Sequence, residues 1–92
     1  MQKRESTVER YLVRVVKGLG GMAIKLNPLG MVGLPDRLIL LPGAKIFFAE
    51  VKRPGEKPRK IQIAIHNRIR ELGFRVEVVD NNEQIKRILG GL

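Results

Sequence analysis

The sequence has no cysteine, no tryptophan and a single histidine, His66. The absence of cysteine excludes disulfides and thiolate metal sites, and one histidine excludes any site that needs two from this chain. One tyrosine and three phenylalanines are too few for a platform of exposed aromatics, so a nucleic-acid partner would be contacted mainly through its phosphates. No apolar run approaches the roughly 20 residues that span a bilayer, and the charged start does not resemble a secretion signal. We therefore expect one small cytoplasmic domain over residues 1–92.

Negative charge is also scarce, because 9 Asp and Glu residues face 18 Lys and Arg residues and leave a formal net charge of +9. Such an excess in a small domain favours a polyanionic partner, with nucleic acid ahead of an anionic membrane surface. Much of the positive charge lies in the segment 52–60. The residues predicted to contact DNA phosphates are Lys25, Arg53, Lys57, Arg59 and Lys60.

The apolar pattern predicts an α/β fold with the order α-β-β-β-α-β-α, in which helices flank a small mixed sheet. Helices are predicted at 5–19, 59–72 and 83–89, and strands at 22–26, 36–41, 45–52 and 74–79. In the long helix, the stripe predicted to face the core is Ile61, Ile65, Ile69 and Leu72. Because this helix connects the third and fourth strands, those two strands are expected to be parallel.

The second and third strands are predicted to form a hairpin centred on Gly43. Paired residue numbers then sum to 86, which places Asp36 opposite Glu50. Directly opposed Cβ atoms lie about 4.5–5.5 Å apart, a spacing that suits two carboxylates sharing one cation. A two-residue turn would shift this register. Both faces of the hairpin are apolar, so it is expected in the middle of a sheet covered on both sides.

The charged residues at one end of this hairpin suit phosphodiester hydrolysis. A magnesium ion held by one or two carboxylates keeps several waters and neutralises phosphate charge. Asp36 and Glu50 are the predicted ligands, and the carbonyl of Val51 is a candidate third. Lys52 shares a strand face with Glu50. It is a candidate to orient or deprotonate the attacking water, or to stabilise charge on the phosphate. These residues favour a small metal-dependent nuclease.

Two helices contribute further candidates. Gln62 opens the long helix, where its amide can anchor Lys52 or a phosphate. On the first helix, Glu5 lies nearer the centre of the apolar stripe and Glu9 on its flank. Glu5 is therefore the preferred outer metal or water ligand, and Glu9 is the alternative. His66 follows Gln62 by four residues and is expected at the surface or partly packed, with a catalytic or DNA-contacting role as the alternative.

The motifs Gly33-Leu34-Pro35-Asp36, Glu50-Val51-Lys52 and Gln62 resemble the PD-(D/E)XK nuclease pattern, and most closely the virus-type replication-repair nuclease (VRR-NUC) domain. Pro54-Gly55 after the second motif and Leu72-Gly73-Phe74 after the long helix agree with this resemblance, which covers essentially the whole chain. It implies a restriction-endonuclease-like fold and a Mg²⁺- or Mn²⁺-dependent endonuclease acting on DNA, often branched DNA. Stand-alone members resemble Holliday-junction resolvases that act as homodimers. The chain is expected to lack the DNA-reading domains that are fused to larger relatives.

Two other functions remain open from the sequence. A non-catalytic nucleic-acid-binding module would use the same positive charge, and it would make Asp36 and Glu50 dispensable. An accessory subunit of a replication or recombination complex is supported only by the apolar loop 28–33. That loop is equally able to form a dimer interface, insert at a DNA junction or cover the core.

Overall fold

The computed structural model describes residues 6–26 and 30–90 of the chain. Its helices are α1 (Thr7–Gly18), α2 (Lys60–Glu71) and α3 (Asn82–Gly90), and its strands are β1 (Met22–Lys25), β2 (Arg37–Leu41), β3 (Lys45–Val51) and β4 (Val76–Val79). The predicted order and mixed α/β class are confirmed, and every boundary lies within two residues of its predicted position. Within the described ranges, none of the helices has the length and apolar character needed to cross a bilayer.

The four strands form one mixed sheet in the order β1-β2-β3-β4. The first three strands are antiparallel, whereas β3 and β4 are parallel, as predicted. Leu38 pairs with Phe48 and Leu40 with Ile46, so the predicted register is confirmed. The turn that sets it has positive φ at Gly43 (82°) and Ala44 (60°), a left-handed bend that an alanine adopts only at some cost. This register places Asp36 immediately before β2 and Glu50 one residue from the end of β3.

One face of the sheet carries the hydrophobic core beneath α1 and α3. The buried members of this core are Leu12, Val16, Ile39, Leu41, Phe47, Ala49, Val79, Ile85 and Leu89. Ser6 caps the start of α1. Its hydroxyl accepts a hydrogen bond from the backbone N–H of Glu9 at 3.0 Å and so satisfies one free donor of the first turn. The core therefore fixes the ends of the strands that carry the candidate site.

The other face is different from what the apolar pattern predicted. The buried side chains of α2 are Gln62 and His66, whereas Ile61 and Leu72 are 44% and 59% exposed. Aliphatic residues lie on several sides of this helix, so their spacing alone did not identify its inner side. The strand beneath presents the charged Glu50, and a buried charge requires polar partners rather than aliphatic ones.

The hairpin lies in the middle of the sheet, as predicted, but its α2 side is only partly covered. On the α2 side, Leu38, Leu40 and Phe48 are only half-buried, and Ile46 is 40% exposed. A helix such as α2 is about 10–12 Å wide, which is less than the width of four strands spaced about 4.8 Å apart, so α2 covers only part of this side.

Candidate active site

A cleft of about 980 Å³ opens at the end of the sheet where β2 begins and β3 ends. Its lining includes the predicted Asp36, Glu50, Val51, Lys52 and Gln62. The other residues that line it are Ser6, Glu9, Lys25, Leu26, Val32, Gly33, Leu34, Arg53, Glu56, Lys57 and Arg59. The fold therefore brings the central predicted residues into one solvent-accessible space.

Asp36 is fixed by backbone contacts on two sides. Its Oδ2 accepts a hydrogen bond from the backbone N–H of Val51 at 2.8 Å, and its carbonyl accepts one from Leu26 at 2.9 Å. The segment that precedes Asp36 packs tightly against α2. Gly33 has a φ of 95°, and a Cβ at this position would lie 2.9 Å from the carbonyl oxygen of Ile61. The glycine thus permits close approach of this segment to helix α2.

Glu50 is a buried carboxylate with 2% exposure. Its Oε2 accepts a hydrogen bond from Gln62 Nε2 at 3.1 Å and lies 3.2 Å from Lys52 Nζ. Burial raises the pKa of Glu50 above its ordinary value, the nearby charge of Asp36 raises it further, and Lys52 acts in the opposite direction. Two coupled carboxylates in this setting are unfavourable for folding alone, because burial and like charge both disfavour ionisation.

Gln62 joins Lys52 to the start of α2. Its Oε1 accepts hydrogen bonds from Lys52 Nζ at 2.9 Å and from the backbone N–H of Arg59 at 2.8 Å. The contact with Lys52 is the one that the sequence suggested for this amide. Since Gln62 Nε2 also donates to Glu50, the three side chains form a closed ring of polar contacts. Each member therefore restricts the orientation of the other two.

The first helix brings Glu9 to the edge of the cleft. Its Oε2 accepts a hydrogen bond from Arg37 Nε at 2.9 Å, and Arg37 Nη1 also donates to the carbonyl of Ala23 at 3.2 Å. Arg37 is 5% exposed, so its guanidinium requires a carboxylate partner. The preferred candidate, Glu5, lies outside the described residues. The sequence reasoning did not include Arg37, although a lone arginine at the start of an apolar strand was the available signal.

His66 is the second residue whose position sequence reasoning missed. It is 1% exposed, not at the surface or partly packed, and its Nε2 lies 3.9 Å from Glu50 Oε1. Burial lowers the pKa of His66, and the cations Arg70 and Lys52 lower it further. The ring is therefore neutral near pH 7, and its contact with Glu50 is not an ion pair.

Four of the five residues predicted to contact DNA line the cleft, namely Lys25, Arg53, Lys57 and Arg59. Lys60, the fifth, is exposed on the first turn of α2 and does not line it. The loop that carries Arg53 and Lys57 is fixed at Gly55, whose backbone N–H donates to Asp80 Oδ2 at 2.9 Å.

Comparisons with known proteins identify similar chains, although no family model matches the chain. The chain is 45% identical over 80 residues to "Putative nuclease p44" of Acyrthosiphon pisum secondary endosymbiont phage 1. The matched segment covers 87% of this chain and 86% of the relative. A solved structure described as "VRR_NUC domain" superposes with a TM-score of 0.85 and 36% identity over 90% of each chain. The chain belongs to the VRR-NUC family. It is a nuclease of the VRR-NUC type.

The donor set of this VRR-NUC site suits a hard divalent cation. Within residues 6–26 and 30–90, no group of three or more Asp, Glu or His side chains is arranged to enclose a metal. Asp36 and Glu50 are nevertheless electrostatically coupled and line the same cleft as Val51. Mg²⁺ is typically held by only one or two carboxylates and keeps several waters. The residues present therefore fit Mg²⁺ or Mn²⁺ better than a cation that needs a complete protein cage.

Proposed function

We propose that this VRR-NUC protein is a metal-dependent DNA endonuclease that hydrolyses phosphodiester bonds. The observation that carries the proposal is the composition of the cleft, which combines two coupled carboxylates and an anchored lysine with four further cationic side chains. The net charge of +9 favours association with a polyanion, and the local cations attract its phosphates. A module that only bound DNA would gain nothing from Asp36 and Glu50, which repel phosphate when no cation is present.

In this proposal, Asp36 and Glu50 hold Mg²⁺ or Mn²⁺ together with the carbonyl of Val51. Glu9 or Glu5 provides an outer contact from the first helix, most simply through water. When bound, the cation supplies charge stabilisation at the phosphate and activates water. The arrangement also explains why the buried Glu50 is tolerated beside Asp36, because the cation offsets the repulsion between the two carboxylates.

Lys52 acts on the water or the phosphate. A lysine ammonium has three N–H donors, and two of them are directed at Gln62 Oε1, 2.9 Å away, and Glu50 Oε2, 3.2 Å away. The third donor is available to orient the attacking water or to stabilise negative charge on a phosphate oxygen. The two existing contacts hold the ammonium in place before the substrate arrives, which lowers the cost of reorganisation in the transition state.

The finer proposal is that the substrate is branched DNA, in particular a four-way junction, and that the enzyme acts as a homodimer. The loop beside the cleft exposes Met31 (49%) and Val32 (65%), and Val32 lines the cleft itself. Exposed neighbouring apolar residues of this kind favour an interface with a second copy or with DNA. A two-fold dimer would match the near-two-fold symmetry of a four-way junction.

The test is cleavage of an end-labelled four-way junction, a flap, a linear duplex and a single strand, each with Mg²⁺, Mn²⁺ or EDTA. We expect paired, symmetric nicks in the junction that require a divalent cation. Cleavage of the other substrates alone would keep the nuclease and reject the junction preference. Binding without cleavage under every metal would reject the enzymatic proposal and favour a binding module.

Asp36→Asn provides the internal control, because it removes a proposed ligand while keeping the size of the side chain. It should abolish cleavage and preserve or tighten DNA binding, since one negative charge is lost. Wild-type nicking by this variant would contradict the proposed site. The dimer is tested separately by sedimentation equilibrium across a range of concentrations, where a monomer at all concentrations, with and without junction DNA, would contradict the two-site proposal.

A further inference from the structure

Glu50 and His66 present two facing polar atoms that have no partner. Glu50 Oε1 and His66 Nε2 are both buried, and neither forms a hydrogen bond with any described residue. They lie 3.9 Å apart, and each side chain is 2% exposed. The opposite oxygen of the carboxylate, Oε2, is already held by Gln62 and Lys52. His66 does not line the cleft, so it approaches Glu50 from the protein interior.

The separation of these two atoms restricts what can satisfy them. An N–H···O hydrogen bond spans about 2.7–3.2 Å, so 3.9 Å is too long for one. A bridging water would need two such bonds at its oxygen, and these place the outer atoms roughly 4.5 Å apart. A closing movement of about 1 Å gives direct contact, and this is the smallest change that satisfies both buried atoms.

The surroundings of His66 determine which atom is the donor. A neutral imidazole has one N–H donor and one lone-pair acceptor. A lone pair on Nε2 would face a carboxylate oxygen and repel it, so the complementary form carries its proton on Nε2.

We propose that His66 is a positioning residue of the nuclease site, in which its Nε2–H holds Glu50 Oε1 from the side away from the cleft. A carboxylate oxygen accepts two partners, so this contact leaves Oε1 able to bind a cation as well. With Gln62 and Lys52 on Oε2, both oxygens of Glu50 are then oriented by the protein. Groups that orient metal ligands in this way strengthen metal binding. The inference rests on the proposed function in that Glu50 is taken as a cation ligand.

The protonation site of the ring is measured directly by NMR. Because His66 is the only histidine in the sequence, a long-range ¹H–¹⁵N spectrum of the wild-type protein near pH 7 contains a single imidazole. We expect Nε2 to carry the proton. We also expect its signal to shift on addition of Mg²⁺ in the wild type and not in Glu50→Gln. A proton on Nδ1 with a bare Nε2 would overturn the proposal.

Two substitutions separate donation from packing. His66→Leu retains bulk and removes the donor, whereas His66→Gln retains an N–H near the position of Nε2. In calorimetric titration with Mn²⁺ in the absence of DNA, His66→Leu should weaken binding on the order of 10-fold or more, and His66→Gln should recover most of the affinity. The half-saturating Mg²⁺ concentration for cleavage should rise in parallel. Wild-type affinity in His66→Leu would overturn the proposal.

Ile69→Ala is the matched packing control, since Ile69 is half-buried on the same helix. It should lower stability without weakening Mn²⁺ binding, and an equal loss of affinity in Ile69→Ala and His66→Leu would assign the effect to packing and reject the proposal. If His66→Leu does not fold, the wild-type spectrum and His66→Gln decide. If the wild type cleaves DNA and His66→Leu matches it in Mn²⁺ binding and cleavage, only the positioning role is refuted. A wild type that neither binds Mn²⁺ nor cleaves DNA refutes the proposed function.

Discussion

The two faces of the sheet are built from different chemistry. Beneath α1 and α3, the buried residues form one hydrophobic cluster, and the buried Arg37, paired with Glu9 of α1, is the charged residue on this face. Beneath α2, the buried side chains include the polar Glu50, Gln62 and His66 beside the apolar Val76, the strand partner of Phe48. Apolar burial stabilises a domain of this size, because each buried side chain contributes about 1.5–3 kcal/mol. Buried polar groups contribute little net stability and cost much when unpaired. The fold thus depends mainly on one face, and the proposed chemistry depends on the other.

Glu50→Gln is expected to have the largest effect on activity while leaving the hydrophobic face of the sheet intact. It should reduce DNA cleavage by roughly 10³-fold or more, because a metal-binding charge is lost, while the protein stays folded. Glu77→Gln is the matched control, because Glu77 pairs with Ala49 across the sheet and forms its ion pair with Arg75. Its cleavage rate should stay near that of the wild type. Equal rates for the two variants in a single-turnover assay would contradict the assignment of Glu50.

Ile39→Ala tests the apolar face. Ile39 is fully buried, and replacing such a residue with alanine costs about 2–5 kcal/mol through lost burial and the cavity left behind. The control is Leu40→Ala, one position along the same strand. The Leu40 side chain points to the opposite face and is only half-buried there. Leu40→Ala should cost less than half as much. Urea denaturation of both variants measures the difference, and equal losses would mean that both faces contribute equally to stability.

Gln62→Leu tests the ring of polar contacts without removing a proposed metal ligand. It should lower cleavage by about 10- to 100-fold, since Lys52 and Glu50 lose a shared partner. Gln84→Leu is the control, because Gln84 accepts a hydrogen bond from the backbone of Asp80 at 2.7 Å, much as Gln62 does from Arg59. Both variants lose this backbone contact, but only the first loses a contact with Lys52. Similar cleavage rates would assign the effect of Gln62 to the helix start.

Local sequence signals predicted the order of the helices and strands, the hairpin register and the central residues of the candidate site. The turn at Gly43 fixed the hairpin register, and the register placed Asp36 and Glu50 at the same end of adjacent strands. Residue spacing also placed Lys52 next to Glu50, and Gln62 one loop later. Each of these predictions depends on the alternation of a strand or on a short turn, which are properties of neighbouring residues.

The polar side of α2 could not be predicted in the same way. Helical periodicity is read from apolar residues, so it does not reveal a buried helix surface formed by the polar Gln62 and His66. Their spacing of four was the only available signal, and it is also typical of an exposed helix face. The pairing of Glu9 with Arg37 joins residues 28 positions apart and depends on how α1 packs on the sheet. Contacts of this kind are set by tertiary structure.

The stability of Glu50→Gln in the absence of metal tests whether the buried carboxylate on the α2 side destabilises the fold. Because the pKa of Glu50 is raised in the folded protein, the folded state holds this proton more tightly than the unfolded state. The ionised carboxylate therefore destabilises the fold once the pH exceeds its unfolded pKa of about 4.5, increasingly up to the folded pKa. In EDTA at pH 7, Glu50→Gln should gain on the order of 1 kcal/mol, or about 4–8 °C in Tm.

The gain should shrink as the pH falls from the raised folded pKa of Glu50 towards 4.5 and be lost below 4.5, because the wild-type carboxyl group is then neutral in both the folded and the unfolded state. Differential scanning calorimetry in EDTA at several pH values measures the trend. Added Mg²⁺ should stabilise the wild type and not the variant, since only a native state that binds the ion is stabilised by it. A variant less stable than the wild type in EDTA would show that the buried charge is well satisfied without a cation.

Lys57→Ala has the smallest expected effect, and it tests how far the polar face extends into DNA contacts. Lys57 lines the cleft, so its loss should weaken DNA binding and reduce the slope of log K against log[salt] by about one unit. Lys86→Ala is the control, because Lys86 pairs with Glu83 at 3.2 Å on α3 and does not line the cleft. Fluorescence anisotropy with a labelled junction in EDTA, across a series of salt concentrations, gives both slopes. If Lys57→Ala leaves the slope unchanged, Lys57 does not contact a DNA phosphate.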